Sequence, residues 1–282
     1  MKQEKRSLKI SKNLPLIIGS FDILHKGHKK LFDKVKSNKF NVILISDSIN
    51  KKEWINSLMM RYLWIYRLHP KKIFTFDAKK NNISAIDFIK VILKSISPSV
   101  IIVGSDFRFG RNNTGDVKLL KRYFKVSPIK YDSKYQTSKI KNLYKKGKIS
   151  EANKLLYRPI VIYGKVINCK HEGTKLGFPT LNVMLENDRF KFKTGSYATL
   201  CSLANNKNYY GATCIYNINR KQMIETHILN NFPKSYKSYK KDILIVLLKY
   251  VMPFKKISNK GNLIKYIDFT MKTIKKYFKI KP

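Results

Sequence analysis

The fold of this chain is decided by one stretch of sequence, Gly19-Ser20-Phe21-Asp22-Ile23-Leu24-His25-Lys26-Gly27-His28, which lies between an apolar run and an amphipathic segment. The order strand, glycine turn, two histidines and helix is typical of the first loop of nucleotide-binding α/β folds. That loop offers backbone N–H groups and a helix N-terminus to a phosphate. His25 and His28 can donate to phosphate oxygens that gain charge during nucleophilic attack. The stretch therefore predicts an α/β domain with a phosphate site; a βα turn with two incidental polar residues is the alternative.

The first half of the chain alternates apolar runs with amphipathic stretches. The runs are predicted strands: Leu14–Ile18, Val42–Ser46, Ile73–Phe76, Val100–Val103 and Val126–Ile129. The stretches between them are predicted helices: Lys29–Lys36, Ser57–Leu68, Ala85–Ser95 and Asp116–Phe124. Strands separated by helices of this length indicate crossover connections and a parallel, Rossmann-like sheet.

After about residue 156 the pattern changes to strands separated by polar turns. The predicted strands are Ile160–Ile167, Ser196–Leu203, Tyr209–Tyr216, Met223–Leu229 and Ile243–Tyr250. Their spacing is typical of an antiparallel β-barrel, and an amphipathic helix over about 262–278 follows. We therefore predict two domains, residues 1–156 with a basic tail at 1–13, and residues 157–282.

The composition is that of a globular protein with an unusual charge. The 282 residues are 43% hydrophobic, and 59 lysines and arginines against 17 acidic residues give a net charge of +42. Basic surface attracts nucleic acid and other polyanions. However, the lysines are spread from Lys2 to Lys281, and no nucleic-acid motif accompanies them. Compositional drift in an AT-rich genome is therefore the preferred explanation, and weak RNA association is the alternative.

Cysteine usage and hydropathy favour the cytoplasm. The three cysteines, Cys169, Cys201 and Cys214, form no C-x-x-C pair, which argues against a disulfide framework and a cysteine zinc site. The basic N-terminus lacks the apolar segment of a signal peptide, and no stretch approaches the ~20 apolar residues of a membrane span. We expect a cytoplasmic protein with no membrane partner.

A second loop directly follows the predicted strand Val100–Val103. Its candidate site residues are Gly104, Asp106, Phe107, Arg108 and Phe109. Open α/β sheets bind ligands at the carboxyl ends of their strands, so we expect this loop to face the histidine loop. Its aromatic rings can stack on a flat ring system, while the aspartate and arginine supply directional polar contacts. An ordinary polar loop with two core phenylalanines is the alternative.

Two motifs of the second half carry candidate chemistry. The stretch Gly173-Thr174-Lys175-Leu176-Gly177-Phe178-Pro179-Thr180-Leu181-Asn182 leads into a strand with Thr180 and Asn182 on one face. A hydroxyl and an amide oxygen are suitable ligands for Mg²⁺ that holds ATP phosphates. Glu225 is a single carboxylate on an otherwise apolar strand. Such an acid usually faces solvent, but one that points into a phosphate site can act as a general base.

These motifs resemble those of the bacterial bifunctional riboflavin kinase/FMN adenylyltransferases, or FAD synthetases, over essentially the whole chain after the tail. The resemblance rests on G-x-F-D-x-x-H-x-G-H from Gly19 and on V-G-x-D-F-R-F-G from Val103, with T-G-D after it. The pair Arg158-Pro159, L-G-F-P-T-x-N from Leu176 and E-x-H-I-L from Glu225 complete it. Each motif is moderately specific, and all five occur in the family's order.

The resemblance implies a nucleotidyltransferase domain that transfers AMP from ATP to FMN and a barrel domain that phosphorylates riboflavin with Mg-ATP. It implies that His25 and His28 bind the reacting phosphates and that Glu225 is the base for the ribityl hydroxyl. Thr180 and Asn182 would take Mg²⁺ and phosphate. Flavins and nucleotides would contact a larger set: Gly19, Phe21, Asp22, Gly27, Gly104, Asp106, Phe107, Arg108, Phe109, Thr137, Ser138, Lys141, Gly173, Gly177, Phe178 and Pro179.

Four segments depart from the family pattern. The family's P-T-A-N appears as Pro179-Thr180-Leu181-Asn182, a change away from the face that carries Thr180 and Asn182. The family's S-S-T-x-I-R appears as Gln136-Thr137-Ser138-Lys139-Ile140-Lys141, so a lysine without the bidentate fork replaces an arginine. The family's G-V-A-N-I-G-x-x-P-T appears as Gly211-Ala212-Thr213-Cys214-Ile215-Tyr216-Asn217-Ile218-Asn219-Arg220. The family's L-R-x-E-x-K-F is represented by Val251-Met252-Pro253-Phe254-Lys255-Lys256-Ile257, which lacks its arginine and glutamate.

These departures keep other functions open. An adenylyltransferase with a decayed kinase domain is the main alternative, and a non-catalytic RNA-binding module is a weaker one. A class I aminoacyl-tRNA synthetase shares an H-x-G-H signature, but the K-M-S-K-S signature is absent from this sequence.

Overall fold

The computed structural model describes residues 13–35, 39–49, 51–130, 132–167, 177–185, 189–203, 207–219, 221–230 and 239–280. These residues form two compact units. The sheet unit contains the described residues up to Phe21, Lys26–Lys52 and Arg61–Lys134. The barrel unit contains Asp22–His25, Glu53–Met60 and the described residues from Tyr135 onward.

The sheet unit is built on five parallel strands: β1 Leu16–Gly19, β2 Asn41–Asp47, β3 Lys72–Asp77, β4 Ile101–Gly104 and β5 Val126–Ile129. Their order in the sheet is β3-β2-β1-β4-β5. The chain leaves β1 toward β2 on one side and returns to β4 on the other, so the winding reverses between β1 and β4. The crevice at the carboxyl ends of two such strands is the usual ligand site. The predicted parallel sheet is confirmed.

The helices between these strands are α1 Lys26–Asp33, α2 Leu58–Tyr66, α3 (residues 85–96) and α4 Val117–Lys121. Helix α3 has three parts: a π-helical segment, Phe88–Leu93, lies between the α-helical segments Ala85–Asp87 and Lys94–Ile96. Short 3-10 turns lie at Arg111–Asn113 and Ser133–Tyr135. The helix predicted from Lys29 begins instead at Lys26, so Gly27 and His28 lie in its first turn. The prediction started it late because that turn carries no apolar residue.

The core of the sheet unit lies between the sheet and α3. Ile18, Ile101 and Val103 of the central strands pack with Phe88 and Leu93. Burial of each such side chain contributes about 1.5–3 kcal/mol. This core therefore anchors the two strands whose ends form the expected ligand crevice.

The barrel unit begins with helices α5 Thr137–Lys145 and α6 Ile149–Leu155. Six antiparallel strands follow: β6 Ile162–Ile167, β7 Leu181–Leu185, β8 Gly195–Leu203, β9 Asn208–Ile218, β10 Lys221–Ile228 and β11 Asp242–Pro253. They close a barrel in the order β10-β7-β6-β11-β8-β9. The predicted antiparallel barrel is confirmed, and β7 is a sixth strand that the five apolar runs did not include.

One apolar core joins the barrel interior to the two helices before it. Val183, Ile215 and Ile224 belong to the same cluster of buried residues as Tyr144 of α5 and Ile149 of α6. Alternate residues of each strand therefore point into the barrel, while their neighbours form its outer face.

The C-terminal helix α7 Lys260–Phe278 covers part of that outer face. Met271 and Ile274 pack on Ala198 and Ala212. The side chain of Asn259 caps the helix by accepting a hydrogen bond from the N–H of Asn262. Among the helices in the described part of the chain, none is both long and apolar enough to cross a membrane.

Candidate active sites

The loop after β1 is shaped by the ring of Phe21. Phe21 has a left-handed backbone conformation with φ 45°, and its side chain is 1% exposed. A Cβ atom on Gly19 would lie 2.7 Å from the Cζ atom of this ring, so glycine is required where β1 ends. The ring meets the imidazole of His28 edge-on, with centroids 5.3 Å apart. Gly19 thus leaves room for the Phe21 ring, and that ring packs against the imidazole of His28. The Phe21 ring itself is buried.

The carboxyl ends of β1 and β2 are held together by Arg61 of α2. Its buried guanidinium donates to the carbonyl oxygens of Ser20 (3.0 Å), Ile45 (2.9 Å) and Ser46 (2.6 Å). Charge-assisted hydrogen bonds of this kind are stronger than neutral ones. Sequence reasoning missed Arg61, although a lone charge in the otherwise apolar helix α2 was a usable signal.

The loop after β4 lies at the neighbouring strand end, because β1 pairs with β4. A Cβ atom on Gly104 would lie 2.7 Å from a carboxylate oxygen of Asp106, so the exposed aspartate side chain lies directly against the end of β4. Arg108 forms an exposed ion pair with Asp116 at 3.3 Å. The hydrogen bond from the N–H of Leu119 holds the pKa of Asp116 below its usual value, and the charge of Arg108 adds to this effect. The loop therefore presents polar groups next to the end of β1.

Phe107 and Phe109 divide between surface and core. Their rings stack with centroids 5.6 Å apart. Phe109 also contacts Phe88 at 5.5 Å and belongs to the core of the sheet unit, whereas Phe107 is half-buried. Of the two predicted flavin contacts, Phe107 is the ring that remains partly accessible.

Asp22 and Lys141, both predicted to contact nucleotide, form a buried ion pair within the barrel unit. Lys141 Nζ lies 2.7 Å from a carboxylate oxygen of Asp22, and the two side chains are 9% and 0% exposed. The other oxygen accepts hydrogen bonds from the N–H groups of Ile55 (2.9 Å) and Asn56 (3.2 Å). Breaking a buried pair leaves an uncompensated charge, at a typical cost of about 3–5 kcal/mol. The pair anchors the start of the histidine loop, and Lys141 is not an exposed phosphate clamp in this structure.

His25 is also buried within the barrel unit. Its backbone pairs with Leu156 in an isolated bridge. The carbonyl oxygen of Leu24 accepts hydrogen bonds from the N–H groups of Tyr157 (2.8 Å) and Arg158 (3.0 Å). The segment that contains the R-P pair therefore fixes the backbone just before His25.

Thr137 and Ser138 lie in the first turn of α5. Thr137 is half-buried and Ser138 is exposed. Gln136, which precedes the helix, makes no capping hydrogen bond with its side chain. The two hydroxyls therefore stand at a helix N-terminus, where anions are favoured.

A row of polar side chains crosses four strands of the barrel. Asn182 of β7, Glu225 of β10, Cys214 of β9 and Ser196 of β8 lie opposite one another in the strand register. Ile224, the neighbour of Glu225, fills the barrel interior, so the row lies on the outer face. Asn182 is 5% exposed and Glu225 is half-buried. The barrel thus brings two predicted site residues together on adjacent strands.

Glu225 is held by an aromatic side chain. The hydroxyl of Tyr216 donates to Glu225 Oε1 at 2.5 Å. The Tyr216 ring stacks on Phe254, with centroids 5.2 Å apart and planes 12° from parallel. Burial raises the pKa of the Cys214 thiol to about 12, and the Glu225 carboxylate acts in the same direction. Cys214 is therefore a neutral thiol at physiological pH.

The loop ahead of β7 is pinned to β10 by His227. Its Nδ1 donates to the carbonyl oxygen of Pro179 at 2.7 Å, and its ring meets Phe178 edge-on at 6.1 Å. Burial lowers the pKa of His227, the bond to Pro179 opposes this shift, and the charge of Lys275 supports it. The E-x-H-I-L pattern contained His227 but did not indicate this role.

A cavity of about 140 Å³ lies beside this loop. Its lining combines apolar side chains with charged residues of α7: Phe178, His227, Leu229, Met271, Asp268, Lys272 and Lys275. Gly177 in the loop has φ 84°, which favours glycine, while the predicted site residue Gly173 lies outside the described residues. In this wall Lys272 forms an ion pair with Asp268 at 2.8 Å, so the charged side chains partly compensate one another.

Thr180 and Asn182 fit a magnesium ion by their chemistry. Thr180 directly precedes β7, and Asn182 is paired with Glu225, so hydroxyl, amide and carboxylate oxygens occur on this part of the barrel. Mg²⁺ is usually held by one or two protein oxygens together with waters and substrate phosphates. Over the described residues, no group of three or more His, Cys, Asp and Glu side chains could hold a metal. A magnesium ion bound here would take phosphate oxygens and waters as its remaining ligands.

Two family models match this chain. The riboflavin kinase model matches residues 156–278, and the FAD synthetase model matches residues 44–143. The fold and these matches define an enzyme with a riboflavin kinase domain and an FAD synthetase domain.

Two curated relatives extend over nearly the whole chain. The "Trifunctional protein RibF/MnmA" of Mycoplasmoides gallisepticum is 34% identical over an alignment of 278 positions, which covers 95% of this chain and 41% of that protein. The bifunctional riboflavin kinase/FMN adenylyltransferase of Buchnera aphidicola subsp. Schizaphis graminum is 28% identical over an alignment of 304 positions including gaps, with 96% of each chain covered. The chain belongs to the bifunctional riboflavin kinase/FMN adenylyltransferase family.

A solved structure described as a macrolide-efflux protein from Streptococcus pneumoniae has the same fold. The TM-score is 0.79, 94% of each chain is covered, and 19% of residues are identical. At this identity the likeness concerns the fold alone.

Proposed function

We propose that this chain makes FAD in two steps, by phosphorylating riboflavin to FMN with Mg-ATP and then adenylylating FMN with release of pyrophosphate. The observation that carries the proposal is the pairing of Asn182 with Glu225 on the outer face of the barrel, next to the loop that contains Phe178 and Pro179. An amide oxygen can ligate the Mg²⁺ of Mg-ATP, and a carboxylate on the adjacent strand can accept the proton of the attacking hydroxyl.

In the kinase step, Glu225 accepts the proton of the terminal ribityl hydroxyl. The hydroxyl oxygen attacks the γ-phosphorus of ATP, and ADP leaves. Thr180 and Asn182 would hold Mg²⁺, which neutralises charge on the phosphates when it is bound. The loop with Gly173, Gly177, Phe178 and Pro179 would contact ATP, and Lys275 lines the cavity beside it.

In the adenylyl-transfer step, His25 and His28 would donate to the α-phosphate as FMN attacks it. This role is supported by the position of His28 in the first turn of α1 and by its contact with Phe21. Gly104 and the side chains Asp106 to Arg108 would contribute to flavin or nucleotide binding at the end of β4. Thr137 and Ser138 would bind triphosphate oxygens at the start of α5.

We assign adenylyl transfer to residues 1–156 and the kinase to residues 157–282. The second assignment is supported by the riboflavin kinase match, which starts at residue 156. We also infer a cytoplasmic location, which is supported by the free thiols Cys201 and Cys214 and by the use of ATP.

An adenylyltransferase with an inactive kinase is the second candidate. It is favoured by Cys214, which stands at the position of the family's asparagine, and by the missing arginine and glutamate in the segment 251–257.

Two assays on the purified chain test the proposal. Riboflavin with Mg-ATP should yield FMN first and then FAD, and FMN with Mg-ATP should yield FAD and pyrophosphate. EDTA should stop riboflavin phosphorylation. A chain that converts FMN to FAD but leaves riboflavin untouched would replace the proposal by the second candidate.

A further inference from the structure

The side chains around Glu225 differ from those of the family pattern. In the stretch that resembles G-V-A-N-I-G, Tyr216 stands where the pattern has its second glycine. Phe254 belongs to the segment that has lost the family's arginine and glutamate. The support of Glu225 by two aromatic rings is therefore a feature of this chain and not of the motif.

The geometry links the two rings to the carboxylate in series. Tyr216 lies opposite Met223 in the register of β9 and β10, so it is the diagonal neighbour of Glu225 on the same outer face. Its hydroxyl donates to Glu225 Oε1 at 2.5 Å. Phe254, which follows β11, stacks on the Tyr216 ring at 5.2 Å and fixes its plane. The carboxylate is thus held from a neighbouring strand by a side chain that is itself held.

We propose that Tyr216 is a positioning residue for Glu225, with Phe254 holding the Tyr216 ring. The proposal rests on the proposed function of Glu225 as the kinase base. With Oε1 bound to the phenol, Glu225 accepts the proton of the ribityl hydroxyl at Oε2. The hydroxyl oxygen bonds to the γ-phosphorus as the bond to the β,γ-bridging oxygen breaks, and ADP carries away that electron pair. Tyr216 keeps its own proton and acts through Glu225 alone.

Tyr216→Phe tests this role because it removes the hydroxyl and keeps the ring stacked on Phe254. We expect kcat for riboflavin phosphorylation to fall about tenfold, with KM for riboflavin and for ATP unchanged, since orientation of the base is lost and substrate binding is not. FAD formation from supplied FMN should stay at the parental rate. Phe254→Leu should lower kcat in the same direction but by less, because the hydroxyl remains.

Tyr210→Phe is the matched control. Tyr210 lies on the same strand and face and stacks on Phe278 at 4.3 Å, but it is outside the row that contains Glu225. This variant should phosphorylate riboflavin at the parental rate. A fall equal to that of Tyr216→Phe would show that any lost tyrosine hydroxyl on β9 weakens the kinase, and would overturn the proposal.

The double variant Tyr216→Phe/Glu225→Gln decides whether the two residues act as one unit. If Tyr216 acts through Glu225, the double variant is no slower than Glu225→Gln in single-turnover phosphorylation. A further tenfold loss, or a parental kcat in Tyr216→Phe alone, would overturn the positioning role while leaving Glu225 as the base. A parental rate in Glu225→Gln would instead remove the base itself, which is a failure of the proposed function.

Discussion

His28 and Glu225, the two residues to which we assign the central chemistry, are supported in different ways. His28 is held by Gly19 and Phe21, which belong to the same ten-residue motif and lie within the sheet unit. Glu225 is held by Tyr216 on the neighbouring strand and, through it, by Phe254 after β11. The first support is local in sequence, and the second comes from two other segments of the barrel, β9 and the residues after β11.

The two supports differ in how closely their residues match the family pattern. The histidine loop, whose support lies within one motif, has the full pattern from Gly19 to His28. Around Glu225, Cys214 and Tyr216 stand where the pattern has an asparagine and a glycine, and the segment 251–257 lacks its arginine and glutamate. The carboxylate is therefore supported here by side chains that the pattern does not specify.

Glu225→Gln should have the largest effect on the barrel side of this comparison. A positioned base typically contributes 10²–10⁴-fold, so FMN formation from riboflavin should fall by at least ~10². FAD formation from FMN should be unchanged. Asp242→Asn, at an exposed acid of the same unit, serves as the control and should keep both rates. A Glu225→Gln variant as active as the wild type would exclude Glu225 as the base.

His28→Ala is the corresponding test of the sheet side. Loss of a donor to the charge that develops on the α-phosphate should lower FAD formation from FMN by about 10² or more, while riboflavin phosphorylation persists. His69→Ala is the matched control, because the exposed His69 precedes β3 and so lies near the amino edge of the parallel sheet. Parental FAD formation in His28→Ala would remove the phosphate-site assignment.

A pair of fragments sharpens the account of how the barrel is supported. Residues 157–282 should fold as a barrel with its C-terminal helix. Residues 135–282 carrying Lys141→Met, which removes the lysine left without Asp22, should be more stable by at least about 2 kcal/mol, because they retain Tyr144 and Ile149 in the barrel core. Chemical denaturation of both fragments measures the difference. Equal stabilities would mean that α5 and α6 contribute nothing to that core.

His227 should produce the smallest effect, seen in the pH dependence of unfolding. Its pKa in the folded chain lies below the ordinary value of 6.5, so the unfolded chain takes up a proton that the folded chain does not as pH falls through that value. The wild type should therefore lose stability on acidification relative to His227→Asn, which retains a donor for Pro179 but does not titrate. Identical pH profiles of the two melting temperatures would contradict this contribution.

Much of the fold could be predicted because its strands and helices follow from hydrophobic patterns within short stretches of sequence. The apolar runs predicted the strands of the sheet, the helix predicted from Asp116 agrees with α4, and the C-terminal helix followed from its amphipathic period. The π-helical segment in α3 had no such signal, since its residues continue an ordinary apolar pattern. The late start predicted for α1 has the same origin, because its first turn is polar.

The site was less predictable where it depends on contacts between distant segments. The Asp22–Lys141 ion pair joins the histidine loop to α5, and nothing in either motif indicates that their charges neutralise each other. Arg61 contacts three carbonyl oxygens at strand ends, which no spacing rule reveals. The hydrogen bond from Tyr216 to Glu225 likewise exists only once β9 and β10 are paired.

The central claim is that one chain carries two independent chemistries, one at the histidine loop and one at Glu225, and a mixing experiment tests it most directly. His28→Ala and Glu225→Gln are each incubated with riboflavin and Mg-ATP, first separately and then together, and riboflavin, FMN and FAD are resolved. We predict that His28→Ala stops at FMN, that Glu225→Gln leaves riboflavin unchanged, and that the mixture makes FAD. A mixture that makes no FAD, or either variant making FAD alone at the parental rate, would contradict the account.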